Sequence, residues 1–69
     1  MTESLYKFIE LVGTSEKGWE DAVNSIIQTA SGSLRDLRIA EVIKLDVKID
    51  QGKPVLYRAR VKISFKFEQ

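Results

Sequence analysis

Two long alternating stretches dominate the second half of the chain. Apolar residues occupy every second position over residues 37–49, with one interruption at Glu41, and again over residues 55–67. A period of two predicts β-strands that each have one apolar face. The turn-forming residues 50–54 between them predict a hairpin. If Ile49 pairs with Val55, apolar side chains face one another along the whole ribbon, and this register places Asp46 opposite Arg58.

The first half of the chain predicts one strand and one helix. Residues 5–12 are apolar on both sides of an extended pattern, and residues 13–15 are predicted to form a turn. Ser15 is the expected N-cap of a helix over residues 16–31, with Gly32 as its stop. One helical stripe, with spacings of three and four, contains Trp19, Ala22, Val23, Ile26, Ile27 and Ala30. The prediction is an α+β fold in the order β-α-β-β, with a three-stranded antiparallel sheet curled around one helix in a single domain, residues 1–69.

The lengths of these elements predict self-association. Thirteen residues per strand give a ribbon of roughly 43 Å, whereas a helix over residues 16–31 is about 24 Å long. The helix therefore cannot cover the hairpin, and a chain of 69 residues has little else with which to bury it. Other copies of the chain are the expected cover, because a large exposed apolar patch marks an association surface.

The composition excludes several kinds of site. The chain has no cysteine and no histidine, which removes disulfides, imidazole catalysis and zinc sites built from these residues. Spacing indicates no nucleophile and base pair, so we expect a protein that is not an enzyme. There is no apolar run of membrane-spanning length and no apolar leader, which predicts a cytoplasmic protein without a membrane partner.

The polar side of the hairpin is basic and has two interpretations. It carries Arg38, Lys44, Lys48, Arg58, Arg60, Lys62 and Lys66. One interpretation is a nucleic-acid or anion surface, and the other is a solvated face whose charges oppose edge-to-edge aggregation. The net charge is only +1, and this side has no aromatic residue on which bases could stack. Nucleic acid is therefore the less favoured partner.

Glu41 is the unusual charge, because it interrupts the apolar side between Ile39 and Ile43. A carboxylate there must be paired or hydrogen-bonded. An inter-subunit salt bridge, a ligand-site acid and a cation site all stay open, the first being favoured. With Asp46 and Asp50 it forms the set to consider for a metal, since hard cations take several oxygen ligands, although no spacing matches a calcium loop.

Several segments together resemble the dodecin family. The matching segments, in order along the chain, are Tyr6-Lys7, Ile9-Glu10-Leu11-Val12-Gly13-Thr14-Ser15, Trp19-Glu20, Ala40-Glu41-Val42 and Ser64-Phe65-Lys66-Phe67. The resemblance implies a hollow homododecamer. Most members of the family hold flavins, stacked in pairs, at the interfaces between subunits. It also implies a role in binding, storing or sequestering FMN or riboflavin, rather than catalysis.

The flavin motif of that family is altered in this chain. Flavin-binding members have a stacking tryptophan at the place of Ile39 and a glutamine, which binds the ring edge, at the place of Arg58. These members often also have a basic residue seven positions after the tryptophan, and the residue at that place in this chain is Asp46. The chain is more similar to a branch that lacks the tryptophan and includes a calcium-binding member. A flavin bound more weakly, calcium, another small ligand and no ligand all stay open as alternatives.

Overall fold

The structure, a computed structural model, describes residues 5–67. Strand β1 (Leu5–Ser15) is followed by helix α1 (Trp19–Ser33), strand β2 (Leu37–Asp50) and strand β3 (Lys53–Phe67). The three strands form one antiparallel sheet in the order β1-β3-β2. The predicted α+β fold and its β-α-β-β order are confirmed. The longest strand, β3, is the central one.

The helix packs on one face of the sheet, which we call the inner face. The core between the helix and this face consists of Ala22, Ile26, Ala30, Ala59, Val61 and Ile63. Alternate positions of β3 supply three of these residues, and the apolar stripe of α1 supplies the other three. The opposite side of the sheet, the outer face, carries the intervening positions of β3 and their partners on the two edge strands.

The boundaries of β1 and α1 differ from those predicted. Residues 13–15 continue β1, because β3 offers pairing partners as far as Tyr57, opposite Ser15. Ser15 is not the N-cap; that position belongs to Gly18. The Ser15 hydroxyl instead accepts a hydrogen bond from the Lys17 backbone N–H at 2.9 Å and donates one to Asp21 at 2.7 Å. Gly32 lies inside the helix, which continues to Ser33.

The hairpin turn is tighter than the predicted stretch of residues 50–54. Only Gln51 and Gly52 lie between the strands, and both have positive φ angles, 52° and 76°. Two consecutive residues with positive φ are typical of a type I′ turn, whose twist suits a two-residue hairpin. Pro54 therefore lies inside β3, opposite Ile49, where the register between the strands shifts.

The predicted register holds only in the middle of the hairpin. The predicted pair of Ile49 with Val55 is wrong, because Ile49 lies opposite Pro54 after a register shift between Lys48 and Ile49. Val47 lies opposite Tyr57 and Leu45 opposite Ala59, as expected. A bulge between Val42 and Lys44 then shifts the pairing, so that Val42 lies opposite Val61. The prediction that Ile43 would face Val61 is wrong, because the bulge inserts one extra residue on β2.

A third shift, between Leu37 and Ile39, reverses the side on which the first residues of β2 lie. Leu37 pairs with Phe65 on the inner face, and Ile39 pairs with Ser64 on the outer face. The predicted single apolar side of β2 is therefore split between the two faces of the sheet.

Candidate functional site

The predicted site residues all lie on the outer face. In order along the ribbon, Ile39 is opposite Ser64, Glu41 is opposite Lys62, and Asp46 is opposite Arg58. The prediction that Glu41 interrupts an apolar face is wrong, because the bulge between Val42 and Lys44 moves it to the polar side. Its side chain is exposed, which removes the requirement for a partner that a buried carboxylate would have.

Ile39 is the most exposed of the large apolar side chains, at 67%. Its backbone N–H donates to the Ser64 hydroxyl at 3.2 Å. Phe8 of β1 lies opposite the same serine, on the other side of β3, and is 65% exposed. This row thus presents an aliphatic and an aromatic side chain about 10 Å apart across the sheet. The two-sided apolar pattern of β1 was the available signal for Phe8, which was not among the predicted site residues.

Asp46 and Arg58 form the best-defined polar contact on this face. The guanidinium donates through Nε to one carboxylate oxygen at 2.7 Å and through Nη2 to the other at 2.8 Å. The cross-strand pairing predicted from the sequence is confirmed. The hydrogen-bonded Arg58 holds the pKa of the Asp46 carboxyl below its ordinary value, and the charges of Arg58, Lys44 and Arg60 act in the same direction.

The lowered pKa predicts an acid-dependent contribution to stability. A carboxyl with a lower pKa in the folded state stabilises fully above its unfolded pKa of about 3.9, and this contribution is lost as the pH falls through the folded value. Asp46→Asn should therefore flatten the decline of the melting temperature below about pH 4. Arg58→Gln should flatten it similarly, because it removes the partner. Circular dichroism melts from pH 2 to pH 6 measure the slope, and an unchanged slope in Asp46→Asn would contradict the assignment.

Trp19 contacts the same part of the hairpin from the helix. Its indole Nε1 donates to the backbone oxygen of Asp46 at 2.8 Å, and its ring meets Tyr57 edge-on with centroids 5.1 Å apart. The side chain is 37% exposed, so it lies at the margin of the core and not inside it. This contact anchors the start of α1 to β2 beside the Asp46–Arg58 pair.

One chain does not bring Ile39 and Arg58 to a common point. Their positions on the ribbon differ by six residues of β3, from Ser64 to Arg58, which corresponds to about 20 Å. A single ligand that contacts both must therefore lie between different copies of the chain.

The acidic residues considered for a metal are distributed along the hairpin. Asp50 lies opposite Lys53, so each of the three predicted carboxylates, Glu41, Asp46 and Asp50, has a basic residue directly across the ladder. Within residues 5–67 of one chain, no three acidic side chains form a group that could hold a metal ion.

Some basic residues of the outer face lie opposite acids. Lys62 has Glu10 on one side and Glu41 on the other, and Arg58 has Asp46. Arg60 has Glu10 at 3.9 Å but Lys44 directly opposite.

In the part of the chain that is described, no helix has both the length and the apolarity needed to cross a membrane.

The element order and the three-stranded sheet are those that the sequence resemblance predicted. The profile of the dodecin family matches residues 5–68. The chain belongs to the dodecin family.

Individual relatives agree with this assignment. Calcium dodecin from Mycobacterium tuberculosis is 40% identical over 63 residues, covering 91% of this chain and 89% of that protein. The solved structure of dodecin from Streptomyces coelicolor is 32% identical and has a TM-score of 0.92. The match covers 100% of this chain and 99% of that one. A solved structure of the Mycobacterium tuberculosis calcium dodecin is 38% identical and has a TM-score of 0.82. The match covers 94% of this chain and 93% of that one, and that protein is described as having a novel calcium-binding site.

Proposed function

We propose that this chain, as one domain, is the subunit of a closed homo-oligomeric shell, a dodecamer, that binds and stores a small ligand without transforming it. The observation that carries the proposal is the amount of apolar surface that one chain leaves uncovered. Within residues 5–67, the apolar side chains that are at least half exposed are Leu5, Tyr6, Phe8, Val12, Ile39 and Ile49.

Most of these side chains lie together on the outer face. Tyr6, Phe8 and Val12 of β1 pair with the outward positions of β3, as does Ile39 of β2. The chain is also elongated, 57 Å by 20 Å by 13 Å, so its helix reaches only part of the sheet. An apolar surface of this kind marks an association interface, and a second copy is the cover that family membership supports.

For the ligand we propose FMN or riboflavin, bound more weakly than an aromatic stacking residue would allow. Ile39 is exposed and can contact a ring but offers it no π-face. Arg58 is committed to Asp46 through two hydrogen bonds, so only its remaining N–H groups can serve a ligand. Loss of one stacking partner weakens binding by about 1–3 kcal/mol, by analogy with stacked bases, or roughly a factor of 5 to 100.

Size-exclusion chromatography with light scattering tests the assembly. We expect a mass near that of twelve chains, because the exposed apolar side chains must be buried and the family supports a closed shell. A folded monomer at micromolar concentration would contradict the proposal. The visible absorption spectrum of the same preparation tests the ligand. A yellow protein, or one that quenches the fluorescence of added flavin, supports flavin storage. A colourless protein that does not bind added flavin contradicts it.

Calcium binding is the second candidate function, favoured by the 40% identity to a relative named calcium dodecin. Calcium takes six to eight oxygen ligands, and Glu41 and Asp50 are exposed carboxylates on β2. Calorimetric titration of the assembled protein with calcium, compared with magnesium, decides this candidate. Heat specific to calcium that disappears in Glu41→Gln or Asp50→Asn supports it, and the absence of such heat removes it.

A further inference from the structure

The middle of the outer face contains a cross-strand pair of like charges. Lys44 of β2 lies directly opposite Arg60 of β3. The neighbouring rows on both sides pair opposite charges, Glu41 with Lys62 and Asp46 with Arg58. Like charges directly opposite each other destabilise a sheet, so the Lys44–Arg60 row opposes the stability that its neighbours support.

A cleft lies at this row. It has a volume of about 100 Å³ and is lined by Val12, Lys44, Asp46, Arg58, Ala59 and Arg60. A cavity of roughly 10–15 Å³ by the same measure already holds one water molecule, so the cleft accommodates a polyatomic ion. Lys44 is the first residue after the bulge in β2, and bulges re-aim side chains at functional sites.

The charges around the cleft favour an anion. Three of its lining residues are basic and one, Asp46, is acidic, and both carboxylate oxygens of Asp46 already accept hydrogen bonds from Arg58. The competing carboxylate on Arg60 is Glu10, at 3.9 Å with both side chains half exposed. That distance is beyond a hydrogen bond, so an anion that receives direct hydrogen bonds from Arg60 can displace Glu10.

We propose that this cleft binds an oxyanion of the phosphate class, held between Lys44 and Arg60 and supported by the outer N–H groups of Arg58. The ammonium and guanidinium groups supply charge-assisted hydrogen bonds to phosphate oxygens. The bound anion relieves the repulsion between the two opposed cations. Val12, exposed on the β1 side of Arg60, can contact a short organic group attached to the phosphate.

Isothermal titration calorimetry of the assembled protein with sodium phosphate tests the site, with ionic strength held constant by sodium chloride. Lys44→Gln and Arg60→Gln should each weaken phosphate binding by about tenfold or more, because each removes a charge-assisted hydrogen bond. Lys48→Gln is the matched control, since Lys48 lies on the same strand opposite Leu56 and its loss changes the net charge equally. Lys44→Arg should retain binding.

A second measurement separates an anion site from a structural role of Lys44. In phosphate-free buffer, Lys44→Gln should melt at or above the wild-type temperature, since repulsion is relieved, whereas in phosphate it should melt below wild type. Equal heats with phosphate and chloride, unaltered binding in both Gln variants, or a Lys44→Gln protein that melts lower in both buffers would each overturn the proposal.

A titration with glycerol 3-phosphate distinguishes a phosphomonoester ligand from inorganic phosphate. Binding tighter than that of inorganic phosphate identifies a phosphomonoester as the ligand, with Val12 contacting its organic part. Equal or weaker binding that is still lost in Lys44→Gln identifies inorganic phosphate. Both results support the site.

Discussion

Replacing Gly13 with alanine should lower the free energy of unfolding by about 1–3 kcal/mol, the usual cost of overpacking a core. Gly13 lies on β1 where α1 approaches the strand closely. A Cβ atom at this position would come within 2.7 Å of Ile26 Cδ1 and 2.9 Å of the backbone oxygen of Ala22. The isoleucine can change rotamer, but the carbonyl cannot move unless the helix shifts. Thermal and denaturant unfolding at fixed protein concentration measure the loss.

Gly32→Ala is the matched control for this prediction. No heavy atom would lie within 4 Å of the added Cβ, and Gly32 is inside α1. An alanine in a helix is favoured over glycine by up to about 1 kcal/mol, so this variant should be as stable as wild type or more stable. If Gly13→Ala is as stable as Gly32→Ala, the close approach between helix and strand is not a constraint on this fold.

The order of elements and the middle of the hairpin were predictable because their patterns have one solution. From Leu45 to Val47, polar and apolar residues alternate strictly, so a shift by one residue would bury Asp46. The pairing of Asp46 with Arg58 follows from that alternation. The inner face of β3 is equally clear, since its buried residues Ala59, Val61 and Ile63 alternate with charged ones.

The rest of β2 was not predictable, because its sequence fits two registers. Ile39-Ala40 and Val42-Ile43 are apolar doublets, so either member of each doublet can face the helix. Counting every second position selects Ile39 and Ile43, whereas the structure places Ala40 and Val42 opposite the buried residues Ile63 and Val61. Ala40 packs against the core, a tertiary contact that alternation alone does not predict, and neither the bulges nor the Lys44–Arg60 row can be recognised without the register.

The boundary between β1 and α1 was mistaken for a related reason. Residues 13–15 are good turn formers locally, but β3 continues far enough to pair with them. The ladder hydrogen bonds outweigh the local preference, and the absence of a Cβ atom at Gly13 then permits the close approach of the helix.

The remaining prediction tests whether Ile39 occupies the place where a flavin ring would stack. Ile39→Trp should increase the affinity for FMN or riboflavin by roughly a factor of 5 to 100, because it restores a π-face worth about 1–3 kcal/mol. Ile39 is 67% exposed on the outer face, so one chain has room for the larger side chain. Flavin fluorescence quenching measures the affinity, and Ile49→Trp, at another exposed isoleucine of β2, is the matched control.

Adding Arg58→Gln to Ile39→Trp should raise the affinity again, since an amide supplies both a donor and an acceptor to a ring edge. Within one chain the two positions are about 20 Å apart along the ribbon, so both substitutions can act on one flavin only if different subunits supply them. The gain from Arg58→Gln should therefore be present in the assembled shell and absent at concentrations that dissociate it. Asp46 loses its two hydrogen bonds in the double variant, and a small fall in melting temperature should accompany the gain. If Ile39→Trp binds flavin no better than Ile49→Trp, or if the wild type already binds as tightly, the flavin site of the family is not located at Ile39 and Arg58 in this chain.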